Sequence, residues 1–355
     1  MKNTEYIPKI CVWELTLKCN MRCIHCGSSA GKSREKELTV DECIPIADNL
    51  IKLGCSQITF IGGEVFLYKG WEKIANKFFE AGADVNILTN AFFVGDAQIN
   101  QIRYAGLSNV GISIDGMEAN HDFIRNTRGS FKKALKAIER LNKENIPVAV
   151  VTSLIDLNFY DLEKMYDLLV DYQVPLWQIQ IINGMGNMAE RKDILLSPEK
   201  IPLITKFIRE KRNEQKIRLY AGDDIGYYDE NEMYIRNRPG TICIWSGCQA
   251  GLSVVGIDSI GNVKGCESIY SDDFIEGNLR EESFEKIWFK KGNFSYNRNF
   301  DINQLTGKCF SCDKARFCRG GCRGSNYFSK GTLFENAYCC YNGGEKVNAK
   351  CVNCF

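Results

Sequence analysis

The sequence predicts an α/β fold followed by a smaller cysteine-rich region, and three observations carry that expectation. Residues 9–215 alternate short β-rich runs with segments of helical period. Six such β–α units in a row imply a parallel sheet with right-handed crossovers. The 17 cysteines are unevenly spread: six lie between Cys11 and Cys55, and eleven run from Cys243 to Cys354. A polar stretch at 209–240 precedes the second group, with the charged run Arg209 to Lys216 and then Arg236-Asn-Arg-Pro-Gly240. The expected division is therefore a barrel or sheet domain at 9–215, a bridge at 216–242, a cysteine domain at 243–342 and a tail at 343–355. Periodicity fits a partial barrel as well as a doubly wound sheet.

Element by element, the β-rich runs are Ile10–Leu17, Gln57–Ile61, Asp84–Thr89, Asn109–Ile114, Pro147–Leu154 and Trp177–Ile182. The helical segments between them carry start and stop signals. Thr39-Val-Asp-Glu42 reads as a capping box that opens a helix to about Leu53, with Gly54 behind it. Trp71–Glu80 stops near Gly82, and Asp96–Tyr104 stops at Gly106. Ser130 opens a helix to about Lys143, and Asn158–Tyr172 fits another. Ser197-Pro198 places a serine cap ahead of proline at the first helical position.

Composition narrows the function. Lys plus Arg number 45 against 44 Asp plus Glu, a net charge of +1, so no electrostatic footprint for nucleic acid is visible. No apolar run approaches the ~18 residues that span a bilayer. The first residues lack a signal-peptide segment, and a cytoplasmic location is expected. In a reducing compartment 17 thiols are not a disulfide framework, and two histidines leave all-thiolate metal or iron–sulfur ligation.

At the end of the first β-rich run the sequence reads Glu14-Leu-Thr-Leu-Lys-Cys19-Asn-Met-Arg-Cys23-Ile-His-Cys26. Three thiolates on one loop can take three corners of a [4Fe–4S] cube and leave one iron open. A zinc site with His25 or water as fourth ligand is the alternative. The C-x3-C-x2-C motif in this place resembles the radical SAM superfamily. Gly62-Gly63-Glu64 follows the second run, where that family's GGE motif binds the methionine amine of S-adenosylmethionine; Val65 stands where the family usually has Pro. Thr89-Asn90 ends the third run and Ser113-Ile-Asp115-Gly116 the fourth. The resemblance implies Asn90 beside the cofactor and Ser113, or else Asp115, at its ribose. Arg125 is the candidate for the methionine carboxylate, with Arg128 or a structural salt bridge as alternatives. The implied fold is a partial (β/α)6 radical SAM barrel, with these groups at the C-terminal ends of its strands.

The C-terminal cysteines read Cys243-x4-Cys248, Gly261-x4-Cys266, Cys309-x2-Cys312-x5-Cys318-x3-Cys322, then Cys339-Cys340. This order resembles the SPASM domain, a small cysteine-rich extension with short hairpin and helical elements. The resemblance implies two auxiliary [4Fe–4S] clusters, hence three clusters with S-adenosylmethionine. One would use Cys243, Cys248, Cys266 and Cys322; the other Cys309, Cys312, Cys318 and Cys339, with Cys340 as rival for the last place. Zinc knuckles remain the alternative for an isolated C-x2-C pair.

The chemistry implied is reductive cleavage of S-adenosylmethionine to a 5′-deoxyadenosyl radical and hydrogen abstraction from substrate. Glu267, directly after Cys266, is the candidate base. Tyr227, Tyr228, Asp223 and Asp224 in the bridge are weaker candidates for lining the cavity. The leading expectation is a maturase of a ribosomally made precursor peptide that forms thioether or carbon–carbon crosslinks. Alternatives are a sulfatase-maturing enzyme, a peptide epimerase, modification of a cofactor or porphyrin, and a cluster-bearing electron carrier without catalysis. His25 stands where sulfatase-maturing enzymes usually show Tyr. Expected partners are the peptide or protein substrate, a flavodoxin or ferredoxin as electron donor, and a separate peptide-recognition protein, since no recognition module precedes Cys19. Neither nucleic acid nor membrane is expected as partner.

Overall fold

The computed structural model describes residues 6–223, 225–226, 231–236 and 245–341. Seven strands follow one another in parallel: β1 (Ile10–Glu14), β2 (Gln57–Ile61), β3 (Asp84–Thr89), β4 (Asn109–Ser113), β5 (Val148–Leu154), β6 (Leu176–Ile181) and β7 (Arg218–Ala221). Helices α1 (Val40–Lys52), α2 (Trp71–Glu80), α3 (Asp96–Ala105), α4 (Glu118–Ile124), α5 (Ser130–Lys143), α6 (Leu162–Asp171) and α7 (Ile201–Asn213) fill the crossovers. The capping box at α1 forms as the sequence predicts, with Thr39 and Glu42 each accepting from the other's backbone N–H.

The strands alternate. Cys11, Trp13, Ile58, Phe60, Val85 and Ile87 belong to the apolar core together with helix residues such as Leu50 and Phe78. The intervening positions, among them Glu14, Thr59, Asn86, Ser113, Ser153, Gln178 and Gln180, are mostly polar. Parallel strands covered on both faces read as near-continuous apolar runs. This alternation therefore marks an inner face that is not a packed core, as a barrel with a working interior requires.

Helix α4, strand β7 and the short helix α8 (Glu232–Arg236) extend the expected pattern. The helix expected from Asn158 begins as a 3₁₀ turn at Phe159–Asp161 before α6, and Pro198–Lys200 makes a similar turn before α7. Strand β1 stops at Glu14, short of Leu17, because the chain then leaves the ladder toward the Cys19 loop.

The C-terminal region does not stand apart from the sheet. Strand β8 (Val254–Ile257) pairs in parallel with β1, and β9 (Asn262–Lys264) and β10 (Gly277–Asn278) follow antiparallel, giving the order β10-β9-β8-β1-β2-β3-β4-β5-β6-β7. Val255, Ile257, Val263, Phe284, Ile287, Trp288 and Phe294 enter the same core. Beyond β10 the regular elements are short: α9 (Phe284–Phe289), α10 (Ser295–Arg298), α11 (Gly307–Phe310), α12 (Ala315–Cys318) and α13 (Arg323–Lys330). Two satellite clusters pack there, one containing Cys248 and the other Cys309. Among the described residues no helix is long and apolar enough to cross a membrane.

Candidate functional site

The Cys19–Cys26 loop is clamped by backbone on both sides. Gly63 N–H donates to Thr16 O (2.7 Å) and Glu64 N–H to Lys18 O (2.9 Å), while Cys19 and Leu17 bond Gly31. A Cβ on Gly62 would lie 2.3 Å from Thr16 O, and one on Gly63 2.4 Å from Lys18 O, so both positions need glycine. Opposite, Asn187 bonds the carbonyls of Cys23 and Cys26. Peptide N–H groups also point at sulfur, Met21 at Cys19 (3.4 Å) and Ala30 at Cys26 (3.3 Å). Asn90 Nδ2 lies 3.9 Å from Cys19 Sγ, and Arg125 Nη1 lies 4.0 Å from Cys23 Sγ. Burial pushes the Cys23 thiol up to about 11, against the pull of Arg125.

All three thiols are free, and N–H donors aimed at sulfur suit a thiolate-held iron–sulfur group. Among the described residues no three His, Cys, Asp or Glu side chains converge closely enough to hold a single ion. His25 Nε2 meets Asp115 Oδ2 at 3.0 Å, and its buried Nδ1 has no protein partner among the described residues.

Asp115 is the hub beneath this loop. Its Oδ2 also takes Arg125 Nη2 at 2.6 Å, and its Oδ1 accepts Ser153 N–H at 2.9 Å. Its own N–H donates to His121 Nδ1 (3.1 Å), so both histidines of the chain converge on one fully buried aspartate. Burial alone would raise the Asp115 carboxyl, but Arg125 and His25 outweigh it and hold it well below the ordinary range. Burial and the Arg125 charge together lower the His121 imidazole to about 4, which keeps it a neutral acceptor. Asp115 thus spends both oxygens inside the protein, as the structural salt bridge among the sequence alternatives. Arg125 keeps a buried Nε with no protein partner, whereas Arg128 is exposed. This four-residue network was not legible in sequence; its one signal was two histidines flanking two acidic strand-end motifs.

Glu64 is buried at the end of β2. Thr89 Oγ1 (2.7 Å) and Phe66 N–H (3.2 Å) donate to one oxygen and Asn90 N–H (2.9 Å) to the other. Those bonds oppose the upward push of burial on its acidity. Asn90 reaches Asn20 Oδ1 at 2.9 Å, and Ser113 is buried at the end of β4.

Glu267 stands on the inner face against Gly256, whose missing side chain makes room: a Cβ there would lie 2.7 Å from Glu267 Oε1. Lys264 Nζ is 3.3 Å from Glu267 Oε2, an ion-pair distance, yet neither carboxylate oxygen completes a hydrogen bond. Burial raises this carboxyl to about 7, Lys264 opposing and Glu14 and Asp258 adding to the rise. Around it Arg34 ties Glu14, Ser259 and Tyr270 together, and Lys264 lies 4.7 Å from the Tyr270 ring centre.

In the second block Cys248 and Cys266 share one satellite cluster, and Cys322 lies at the start of α13 beside Arg323. Cys309, Cys312 and Cys339 are electrostatic neighbours, and burial raises the Cys339 thiol to about 11. Cys340, its neighbour, packs against the main core. Arg323 is fully buried among Cys248, Cys322 and Cys318. Cys243, Asp224, Tyr227, Tyr228, Cys351 and Cys354 lie outside the described residues.

A barrel whose strand ends gather three thiols and a Gly-Gly-Glu turn, extended by a cysteine-rich hairpin region, defines a class. The radical SAM superfamily model matches residues 13–169, and the SPASM iron–sulfur cluster-binding domain model matches 248–313. The chain belongs to the radical SAM superfamily, carries a SPASM domain, and is an enzyme of that type working with iron–sulfur and S-adenosylmethionine. It is 29% identical to an AdoMet-dependent heme synthase of Methanosarcina barkeri, over 96% of this chain and 98% of that one. With the mycofactocin maturase MftC of Mycolicibacterium smegmatis it shares 27% over 91% and 80%. In fold it is similar to Streptococcus suis SuiB bound to its precursor peptide SuiA, with a TM-score of 0.78 over 96% of this chain and 78% of that one at 14% identity. The peptide-bound anSMEcpe structure gives 0.69 over 93% of both chains at 16% identity.

Proposed function

We propose that the protein is a cytoplasmic peptide maturase that uses S-adenosylmethionine radical chemistry to oxidise a ribosomally made substrate. One observation carries the reading. Three pairs of charged side chains at the barrel mouth neutralise one another, Glu14 with Arg34, Asp115 with Arg125 and Lys264 with Glu267, while Glu64 is held by uncharged donors. Among the described residues the inner face also offers Asn86, Ser153, Gln178 and Gln180 as uncharged hydrogen-bonding groups. Such a surface matches the donors and acceptors of peptide groups.

In this reading Cys19, Cys23 and Cys26 hold the cluster that binds S-adenosylmethionine. The two auxiliary sets are Cys243, Cys248, Cys266, Cys322 and Cys309, Cys312, Cys318, Cys339, making three [4Fe–4S] clusters. When bound, the first cluster and S-adenosylmethionine supply a 5′-deoxyadenosyl radical that removes a substrate hydrogen. The backbone of Gly62 and Gly63 and the second lone pairs of Glu64 hold the methionine end, Arg125 Nε faces its carboxylate, and Ser113 and Asn90 bind the nucleoside side. Asp115 orients Arg125 and the cluster loop. Glu267 stands behind Cys266 on the inner face, where it would take the proton a crosslinking thiol, hydroxyl or Cα–H must lose, and the accompanying electron would pass to the auxiliary clusters as oxidant. A flavodoxin or ferredoxin supplies electrons, and a separate recognition protein presents the peptide.

A second reading, modification of an iron tetrapyrrole, has its own support. The matches to the M. barkeri heme synthase and to its Fe-coproporphyrin III synthase (26% over 95% of this chain) run nearly end to end. A polycarboxylate ligand calls for unpaired cations, and the paired charges at the mouth weigh against it. The test is anaerobic reconstitution with S-adenosylmethionine and dithionite, with wild type and Cys19→Ala side by side. Expected are 5′-deoxyadenosine in the wild type alone and a two-hydrogen mass loss in a co-expressed precursor peptide. No 5′-deoxyadenosine above the variant overturns the enzymatic reading; a mass change in iron-coproporphyrin with none in peptides overturns the peptide reading.

A further inference from the structure

The two most exposed phenylalanines among the described residues are Phe317 at 64% and Phe310 at 62%. They stand in one short loop, each next to a buried cysteine: Phe310 follows Cys309 and Phe317 precedes Cys318. The loop coils on itself, since Cys312 N–H bonds Cys309 O, Ala315 N–H bonds Cys312 O and Cys318 N–H bonds Lys314 O. Exposed apolar side chains grouped together on a surface mark interaction sites, whereas isolated ones do not.

Their setting is cationic. Residues 307–319 contain Lys308, Lys314, Arg316 and Arg319 against one carboxylate, Asp313, so four minus one gives +3 where the whole chain carries +1. Asp313 is already paired with Lys314 at 2.9 Å, and nearby Glu335 lies 3.5 Å from Lys330. Arg316 is exposed and has no ion-pair partner among the described residues. Two exposed rings and an exposed arginine on one short, net-positive stretch of chain, each ring next to a proposed cluster ligand, suit the small contact surfaces that transient redox encounters use.

We propose that this loop is the docking surface for a small acidic electron-transfer protein, with Phe310 and Phe317 as apolar contacts and Arg316 as the chief electrostatic one. Placement beside the cysteines keeps the electron path short, and opposite charge speeds encounter in a salt-dependent way.

The proposal rests on the iron–sulfur enzyme reading above, and its test separates the two. An acidic flavodoxin is titrated into the reconstituted full chain by calorimetry, at low and high salt. Variants are Phe310→Ser with Phe317→Ser, Arg316→Glu, and Lys143→Glu on α5 as control. The expected result is at least about tenfold weaker binding for the first two, with a shallower salt dependence for Arg316→Glu. Lys143→Glu binds as wild type. All variants give wild-type 5′-deoxyadenosine with dithionite, which needs no docking. Carbodiimide crosslinks from flavodoxin carboxylates to Lys308 or Lys314 give a readout independent of the substitutions. Unchanged affinity, crosslinks confined to other surfaces, or precursor peptide competing for the same loop overturns the docking surface. Loss of dithionite-driven turnover in wild type overturns the enzyme reading and leaves flavodoxin binding to stand by itself.

Discussion

The barrel and the C-terminal region both gather thiols, but they hold them by different means. In the barrel three cysteines ride on one loop that is fastened to sheet backbone through Gly62 and Gly63 and braced by Asn187 from the other side. Beneath it a buried charge pair, Asp115 with Arg125, stands beside the sulfurs. In the C-terminal region the thiols come from separated stretches, and its helices α9 to α13 span four to eight residues each. Beyond β10 the buried Arg323 bonds Asn297 and the carbonyls of Arg319 and Leu333, and lies among sulfurs instead of beside a carboxylate. The difference teaches that the barrel loop is shaped by the sheet, whereas the C-terminal cysteines depend on what they bind.

The largest expected effect breaks this comparison directly. Removing iron with a chelator should strip amide protection from about 307–341 by tenfold or more in hydrogen exchange and leave β1 to β6 protected. Equal loss in both regions would erase the distinction. Next, Asp115→Asn leaves Arg125 buried without its counter-charge, and should cost about 3–5 kcal/mol in urea unfolding of the iron-free chain. A loss under about 1 kcal/mol would mean that the hub does not brace the barrel.

A pH scan sharpens the same point. The folded His121 pKa, about 4, lies below the ordinary 6.5, so the unfolded chain binds more protons between those values. Its contribution is present above pH 6.5 and is lost as pH falls toward 4, by at most about 3 kcal/mol. His121→Gln should flatten that part of the profile. The smallest effect belongs to the seam between the regions, where Arg280 clasps Glu42 at 2.7 and 3.1 Å and the carbonyls of Lys36 and Glu37. The pair is solvent-screened, so Arg280→Ala should lower stability by about 1 kcal/mol or less, measured as a shift in urea midpoint.

Much of the fold was legible because its signals are local. The spans Gln57–Ile61, Asp84–Thr89, Trp71–Glu80 and Ser130–Lys143 fall where alternation, caps and glycine stops place them. Helix α4 escaped because it spans only seven residues, too few for a helical period to declare itself. The parallel pairing of β8 with β1 escaped for another reason: it joins residues some 240 positions apart, and no local pattern records it. At the site, cysteine spacing announced the thiols, but the fate of Asp115 did not show. A strand-end Ser-Ile-Asp reads the same whether its carboxylate faces a ligand or a buried arginine.

The sequence by itself determined the alternation of strands and helices from β1 to β6 and the two blocks of cysteines, since these follow from spacing along the chain, and its motifs carried the resemblance that implies the class of chemistry. Tertiary structure alone decided that both histidines serve one aspartate, and that Glu267 shares a buried pair with Lys264 on the inner face. It also decided that the cysteine region continues the barrel sheet. Those outcomes depend on which side chains share a desolvated volume, because a charge taken from water keeps only the partners that packing gives it.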